Sequence, residues 1–402
     1  MDQPGVFHFG GRMQLASQEI TVLGAGVAGL AVATALARNG ARVRVLEQAD
    51  AIREVGAGLQ ISPNGGAVLR ALGVALEGTK AEAVVLRNGA DSRTVLRMDL
   101  ARLRPNQDYL FVHRADLIEA LKSAAEAAGV VIFLNRRVRS VDLSGIAPKI
   151  TLDGGPETAG ILIGADGLHS QVRAALNGAE APFFTGHVAW RAVIPCEIGA
   201  ANEAEVFMGP GRHLVSYPLR GRGLRNIVAV EERQRWVEEG WSLRDDPMEM
   251  RKAFEAFDPK VRDWLDQAQD VWLWGLFRHE VAQTWGRAMM QGGVAILGDA
   301  LHPMLPFLAQ GASMALEDAF VLARELARGD SLENCLQAYQ AERQARCIKT
   351  VAAASANARA YHLREPLRAF AHLGLRMSGR LAPGMALSRF DWLYGHDVTL
   401  ED

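Results

Sequence analysis

The feature that most constrains the fold is a strand–turn–helix–strand pattern over residues 19–47. Residues 20–23 form an apolar run that is typical of a buried parallel strand. A Gly-x-Gly-x-x-Gly arrangement follows directly. Gly24 and Gly26 permit a tight turn and a close approach of the backbone to a pyrophosphate, and Gly29 lets the helix pack against the strand.

An acidic residue closes the second strand of this unit. Glu47 stands 18 residues after Gly29, where a carboxylate can accept hydrogen bonds from ribose hydroxyls. The intervening helix begins with N–H groups that favour phosphate and ends near Gly40. This pattern predicts a dinucleotide site in an α/β fold. The alternative is a glycine-rich turn in an ordinary α/β unit.

Composition narrows the class of protein. The chain has 402 residues, 49% of them hydrophobic, and a formal net charge of −2. This length suits two or three structural units, and the charge gives no footprint for nucleic acid or an anionic membrane. The three cysteines form no CxxC motif, which favours a cytoplasmic location and no zinc site. The apolar stretch at 20–37 contains three glycines, so it predicts neither a signal peptide nor a membrane span.

The order of patterns predicts a nucleotide-binding unit interrupted by a sheet. Residues 183–231 alternate like strands, and two short helices follow at 247–268. Residues 293–300 return to the parallel-strand pattern, a long helix is expected at 311–327, and 130–134 is expected to be a buried strand.

Three separated glycine/acid motifs carry a family resemblance. They are Gly24/Gly26/Gly29 with Glu47, Gly164-Ala-Asp166-Gly167, and Gly298-Asp299. Together they resemble the fingerprint of FAD-dependent aromatic hydroxylases, the group A flavoprotein monooxygenases, of the salicylate hydroxylase and 6-hydroxynicotinate 3-monooxygenase kind. The resemblance runs from about residue 19 to about residue 345. Further matches are Gly56-Ala-Gly58 with Pro63-Asn64, His113-Arg114-Ala-Asp-Leu117, Ser170 with Val172-Arg173, His302-Pro303, Pro306, Gln310-Gly311 and Glu317-Asp318-Ala319.

The resemblance implies an α/β fold with a GR2-type Rossmann-like FAD domain, an inserted β-sheet substrate domain and C-terminal helices. The implied division starts with a flexible tail at 1–18. A discontinuous FAD-binding domain comprises 19–80, 111–182 and 281–345. The substrate-binding sheet comprises 81–110 and 183–280, and 346–402 form a C-terminal helical segment.

The resemblance also implies roles for individual residues. Glu47 would hold the adenosine ribose with Gln48 beside it, and Asp299 would hold the ribityl chain. Asp166 would act indirectly, through the turn that it builds. For Arg114, Asp166 and Arg173 the alternative is a structural cap or salt bridge. The implied cofactor-binding set is Gly24, Gly26, Ala28 against the pyrophosphate, Gly29, Glu47, Gln48, Gln60, Arg114 near the phosphate and ribityl region, Leu134, Asp166, Asp299, and Gly311 and Ala312, whose N–H groups would face the flavin pyrimidine.

No second Gly-x-Gly-x-x-Gly follows, so NADH or NADPH is expected only as a transient co-substrate. In the resembled enzymes it reduces the flavin, O2 forms a C4a-hydroperoxide, and oxygen passes to a phenolic or hydroxypyridine-type aromatic acid. The implied partners are a small aromatic substrate and O2, in a monomer or homodimer without nucleic acid or a membrane. The open alternatives are another flavin oxidoreductase on this fold, such as a halogenase or reductase, and a flavin redox sensor without turnover.

One predicted strand suggests a proton acceptor. Residues 212–218 place His213 and Tyr217 on one face, by the period of two. A histidine beside a phenol suits removal of a proton from a hydroxylated ring, and the resembled 6-hydroxynicotinate enzymes carry a His and a Tyr there. The alternative is that both are packed sheet residues.

The remaining substrate-side predictions depend on the resemblance. Pro306 occupies the position whose backbone carbonyl meets substrate in related hydroxylases. Phe307 stands where 6-hydroxynicotinate enzymes carry a histidine, which implies a more apolar pocket there and leaves the exact heteroaromatic substrate open. Gln60 replaces another histidine of those enzymes. Arg191 is a candidate for binding a substrate carboxylate, although the pattern favours a cross-strand structural role. His302 is expected to fix its loop rather than act as a base.

Overall fold

The computed structural model describes residues 14–52, 58–235 and 244–400. The predicted match at Gly56 therefore lies outside the described residues. The strands are β1 Glu19–Leu23, β2 Arg42–Leu46, β3 Gly58–Ile61, β4 Thr79–Lys80, β5 Ala83–Asn88, β6 Thr94–Asp99, β7 Leu110–His113, β8 Val131–Phe133, β9 Ser140–Asp142, β10 Lys149–Leu152, β11 Gly155–Thr158, β12 Ile161–Gly164, β13 Phe183–Pro195, β14 Glu203–Gly209, β15 Arg212–Leu219, β16 Leu224–Glu232, β17 Trp272–Arg278, β18 Gly286–Met289 and β19 Gly292–Ile296. The helices are α1 Val27–Arg38, α2 Pro63–Ala71, α3 Leu100–Leu103, α4 Arg114–Ala127, α5 Gln171–Asn177, α6 Pro247–Ala253, α7 Pro259–Asp266, α8 Gly311–Ala327, α9 Leu332–Tyr361, α10 Leu367–Leu381, α11 Met385–Ser388 and α12 Asp391–Tyr394.

A six-stranded sheet in the order β18-β19-β12-β1-β2-β8 forms the first layer. All its strand pairs are parallel except β18 with β19. Its centre is apolar because β1 and β12 bury their side chains between helices. The predicted α/β fold class is confirmed. β8 is not the buried strand that was expected, since it lies at the sheet edge with Val131 53% and Phe133 39% exposed.

A seven-stranded sheet in the order β17-β13-β16-β15-β14-β5-β6 forms the second layer. Its strands come from the two chain segments that were predicted to bind substrate. One face packs against α6 and α7 through a core that includes Trp190, Phe254 and Trp264. Part of the opposite face contacts Leu305 and Phe307, in the loop before α8. The sheet therefore stands over the loop that leads into the long helix of the first layer.

Two boundaries of the predicted domain division do not coincide with boundaries in the structure. Residues 15–17 form a 3-10 turn with Leu15 buried at 6% exposure, so the predicted flexible tail does not include them. Residues 1–13 lie outside the described part. Helix α9 crosses residue 345, where the prediction ends the FAD-binding domain. Within the described ranges, no helix is both long and apolar enough to cross a bilayer.

Candidate active site

The glycine turn after β1 has two tight positions and one open position. A Cβ on Gly29 would lie 1.9 Å from the carbonyl oxygen of Gly24, and Gly24 itself has a φ of +96°. A Cβ on Gly26 would meet nothing within 4 Å. Packing therefore requires glycine at positions 24 and 29, while Gly26 leaves open space before α1. Gly26 also caps α1 without any side-chain hydrogen bond, which leaves the helix N-terminus suited to an anion.

Glu47 connects the ends of two parallel strands. Its Oε2 accepts a hydrogen bond from the Ala25 N–H at 2.8 Å, and its Oε1 accepts one from the Ala49 N–H at 2.9 Å. Gln48 and Leu134 are exposed beside it, because Leu134 follows β8 and β8 neighbours β2. These predicted residues thus meet at the carboxyl edge of the sheet, where nucleotides bind in open α/β folds.

A cavity of about 380 Å³ combines residues from both layers. Its lining includes the open glycine position and the start of α8 on one side, and strands β13, β15, β16 and β17 on the other. Ten predicted site residues line it and six do not. The lining residues are Gly26, Ala28, Gln60, Arg114, His213, Tyr217, Asp299, Pro306, Gly311 and Ala312, and the others are Gly24, Gly29, Glu47, Gln48, Leu134 and Asp166.

Asp299 presents a carboxyl group to this cavity. It follows Gly298, whose φ of +63° lets the chain turn sharply after β19. Burial raises the pKa of Asp299, and the positive charges of His302 and Arg114 partly oppose that rise. A carboxylate in such surroundings is stabilised when it accepts hydrogen bonds, such as those that the hydroxyls of a sugar-like chain can donate.

Two other polar residues hold loops instead of lining the cavity. Arg173 Nη1 donates to the carbonyl oxygens of Ala300 and Leu301 at 3.2 and 3.0 Å, so it fixes the turn that carries Asp299. Asp166 accepts from the Ser170 hydroxyl at 2.5 Å and from the first N–H of α5 at 2.8 Å. Both contacts match the structural alternative, and for Asp166 they agree with the expected indirect role.

A fully buried ionic network lies beneath these turns. His302 Nε2 is 2.5 Å from Asp318 Oδ2, and Arg343 Nε donates to Asp318 Oδ1 at 3.0 Å. Arg343 also pairs with Glu317. Although burial alone would raise the pKa of Asp318, His302 and Arg343 lower it to about 2. Although burial opposes it, Asp318 raises the pKa of His302 well above its usual value. His302 therefore fixes its loop as a cation.

The network continues to the start of α8. Asn64 Nδ2 donates to Glu317 Oε1 at 2.6 Å and to Gln310 Oε1 at 3.0 Å. Gln310 Nε2 donates to the Ser62 hydroxyl at 2.8 Å. The side chain of Gln310 makes no capping bond to α8, and a Cβ on Gly311 would meet nothing within 4 Å.

Two uncapped helix N-termini thus adjoin one cavity, at Gly26 and at Gly311. The first can receive a pyrophosphate, and the second can stabilise negative charge on a ring. Asp299 supplies a hydrogen-bond acceptor from the same wall. This set of groups fits FAD.

The substrate side of the cavity is mostly apolar and aromatic. His213, Val215 and Tyr217 all line it, as expected for one face of β15. His213 has no exposed surface and Tyr217 is 3% exposed, and burial raises the pKa of Tyr217. The Arg191 guanidinium lies 4.1 Å from the centroid of the Trp274 ring on the neighbouring strand, so the expected cross-strand contact is present.

Sequence reasoning did not find the partners of these groups. His362, which contacts His213, and Arg343 lie on or just after α9, far along the chain from the residues they contact. Only the Glu317-Asp318 pair offered a signal, because two adjacent acids in an apolar helix require buried cations.

Comparison with known proteins identifies the family. Residues 17–354 match the family model described as FAD binding domain. The 3-amino-4-hydroxybenzoate 2-monooxygenase of Streptomyces platensis is 32% identical over 393 residues, which cover 94% of this chain and 96% of the relative. The 6-hydroxynicotinate 3-monooxygenase of Bordetella bronchiseptica is 35% identical over 319 residues, covering 76% and 82%.

A solved structure shows the same fold. The salicylate hydroxylase substrate complex superposes with a TM-score of 0.79 at 22% identity and covers 96% of this chain and 97% of that one. The family match and the full-length relatives agree with the three glycine/acid motifs. The chain therefore belongs to the FAD-binding family of aromatic hydroxylases, the flavoprotein monooxygenases that its sequence resembles.

Proposed function

We propose that this enzyme hydroxylates an aromatic carboxylic acid whose ring already carries a phenolic or hydroxypyridine hydroxyl, with O2 and NADH or NADPH as co-substrates. The single observation that carries the proposal is the shared cavity, which joins the groups suited to FAD to a chamber containing Arg191. The names of the relatives support it, since hydroxybenzoates and hydroxynicotinate combine a ring hydroxyl with a carboxylate.

Arg191 is assigned to the substrate carboxylate. It is half-buried on β13, and its stacking on Trp274 restrains the guanidinium plane. A stacked guanidinium can still offer edge N–H groups to a planar carboxylate in two parallel hydrogen bonds. The stacking contact and the binding role are therefore compatible.

The remaining residues hold the cofactor and keep the chamber dry. When bound, FAD supplies the redox chemistry between the nicotinamide co-substrate and oxygen. The N–H groups of Gly311 and Ala312 are assigned to the flavin ring, Asp299 to the ribityl hydroxyls, and the Pro306 carbonyl to the substrate. The apolar lining, which includes Phe307, Leu305, Val228 and Val230, excludes water from the reacting groups.

The test begins with the flavin-loaded protein and a panel of hydroxylated aromatic acids. Each acid is assayed for stimulated oxidation of NADH and NADPH and for a product that has gained one oxygen atom. A panel in which no acid stimulates oxidation would overturn the proposal. A stimulated oxidation that yields only hydrogen peroxide for every acid would also overturn it.

A variant pair tests the assignment of Arg191. Loss of a charge-assisted hydrogen bond costs about 1.5–3 kcal/mol, so Arg191→Leu should raise KM for the acid about 10- to 150-fold. KM for the matching carboxamide should change little. Arg278→Leu is the control, because Arg278 stacks on Phe183 at 4.8 Å and is not part of the cavity lining. Equal effects of Arg191→Leu on acid and amide would contradict the assignment.

Three further properties of the protein are predicted from its sequence. They are the division into FAD-binding and substrate-binding domains, the cytoplasmic location, and the choice between monomer and homodimer.

A further inference from the structure

A chain of hydrogen bonds leads from the cavity wall to the surface. His213 Nδ1 lies 2.7 Å from His362 Nε2, and His362 Nδ1 lies 3.0 Å from Glu232 Oε1. His213 is 0% and His362 4% exposed, whereas the Glu232 side chain is 41% exposed. The chain therefore begins at a buried residue of the cavity wall and ends at solvent.

The acceptor at the outer end determines the proton positions along this chain. A carboxylate only accepts hydrogen bonds, so His362 donates through Nδ1 and accepts through Nε2. His213 must then donate through Nδ1, which leaves the lone pair on its Nε2. Among the described residues His213 Nε2 is buried without a hydrogen-bond partner, although His213 belongs to the cavity lining. The arrangement thus leaves an unprotonated ring nitrogen without a partner on a residue that lines the cavity.

We propose that His213, His362 and Glu232 form a proton relay that carries the proton of the substrate's ring hydroxyl to solvent. The relay depends on the proposed function, because it requires a substrate with an ionisable ring hydroxyl. His362 and Glu232 are relay residues that act through His213.

The relay consists of proton transfers only. The substrate O–H bond breaks as a bond forms between the proton and His213 Nε2. The Nδ1 proton of His213 passes to His362 Nε2, the Nδ1 proton of His362 passes to Glu232 Oε1, and Glu232 releases it to water. The net products are a ring oxyanion in the cavity and one proton in solution, with no electron transferred.

The buried surroundings of the two histidines favour passing the proton on over holding it. Burial, with His362 and His187, keeps the pKa of His213 well below its usual value, and burial lowers that of His362 to about 4. Neither ring holds an extra proton near neutral pH. In the described part of the chain, the other titratable or charged groups that face the relay are His187 on β13, Arg212 on β15, Tyr361 at the end of α9, and Arg364, whose Nη2 lies 3.6 Å from Glu232 Oε2.

The relay can be tested without turnover. Flavin-loaded enzyme is mixed in a stopped-flow instrument with an acid already shown to be hydroxylated, in the absence of NADH and NADPH. The oxyanion is followed by its ultraviolet absorbance, and the released proton by a pH-indicator dye in weak buffer. EDTA is present because His187, Glu232 and His362 each offer a metal-ligand atom within 4.8 Å of the others.

The variants are Glu232→Gln and His362→Gln, with His372→Gln as the control, since His372 is 7% exposed on α10 and outside the cavity lining. In the wild type we expect the oxyanion and the proton to form at one rate. Both relay variants should slow the two signals at least tenfold at unchanged flavin content and unchanged Kd for the acid. Glu232→Gln alters a partly exposed side chain, so it keeps the test available if His362→Gln does not fold.

Two results would overturn the relay. One is a wild type that hydroxylates the acid but binds it without releasing a proton. The other is a pair of relay variants whose rates equal those of the wild type and of His372→Gln. Failure of the proposed function looks different, because then no acid is hydroxylated by the wild type at all.

Discussion

The replacement Gly26→Ala tests whether the open space before α1 receives the FAD pyrophosphate. Gly26 has φ −79° and ψ −173°, an extended backbone that any residue adopts, and a Cβ there meets nothing within 4 Å. The cofactor-free protein should therefore change in stability by less than about 0.5 kcal/mol. With FAD bound, the methyl group would compete with the phosphate for the same space.

The size of the effect follows from the cost of overpacking. One added methyl group in a filled site costs about 1–3 kcal/mol, so the Kd for FAD should rise about 5- to 150-fold. The Kd is measured by quenching of flavin fluorescence on titration of the cofactor-free protein. The stability is measured by urea unfolding of the same preparation.

Two other glycines serve as controls. Gly29→Ala places its Cβ 1.9 Å from a backbone oxygen, so it should lower the stability of the cofactor-free protein by more than about 1 kcal/mol, despite the helix preference of alanine. Gly374→Ala, in open space on α10, should stabilise by about 0.5–1 kcal/mol and leave the Kd unchanged. A Gly26→Ala protein with the wild-type Kd for FAD would refute the assignment of this space to the pyrophosphate.

Three further predictions concern ionisable side chains of the site and of the buried network. Because burial raises the pKa of Asp299 above 3.8, FAD affinity should weaken on acidification before ordinary aspartates protonate, and Asp299→Asn should remove this pH dependence from the titration. Arg343→Leu leaves Glu317 and Asp318 without their shared cation and should lower the free energy of unfolding by about 3–5 kcal/mol in urea, so a loss below about 1 kcal/mol would contradict the ion pairing. The pKa of His362 falls from 6.5 to about 4 on folding, so the unfolded chain binds more protons in that range. The free energy of unfolding should then decrease by up to about 3 kcal/mol as pH falls from 6.5 to 4, and His362→Gln should show a smaller decrease.

Elements with a local signal were predictable from the sequence. The apolar run of β1 and the glycines after it lie within ten residues, and α8 has the bounds that were predicted, Gly311–Ala327. The exposure of β8 was not predictable from a local signal of this kind. An apolar strand of three residues looks the same at the centre and at the edge of a sheet, and the order of the strands decides its exposure.

The residues of the candidate site also differ in how far they could be predicted from the sequence. Single residues such as Asp299 and Arg191 could be named because the family resemblance assigns a role to the turn or strand that carries them. Their partners could not be named, since His362 lies 149 residues from His213 and no spacing rule connects the two. The alternatives for Arg173 were likewise separated only by its contacts with the carbonyls of residues 300 and 301.

The buried network beneath α8 explains how distant segments come to share one cavity. Asp318 accepts from the Gly298 N–H at 3.2 Å and from His302, so one carboxylate on α8 orients the turn that presents Asp299. Glu317, the adjacent residue, binds Asn64 and thereby α2. Buried ion pairs add little net stability compared with apolar packing. Their contribution here is positional, because the same two carboxylates fix the turn after β19 and the start of α8 relative to each other, and both segments face the space assigned to the flavin.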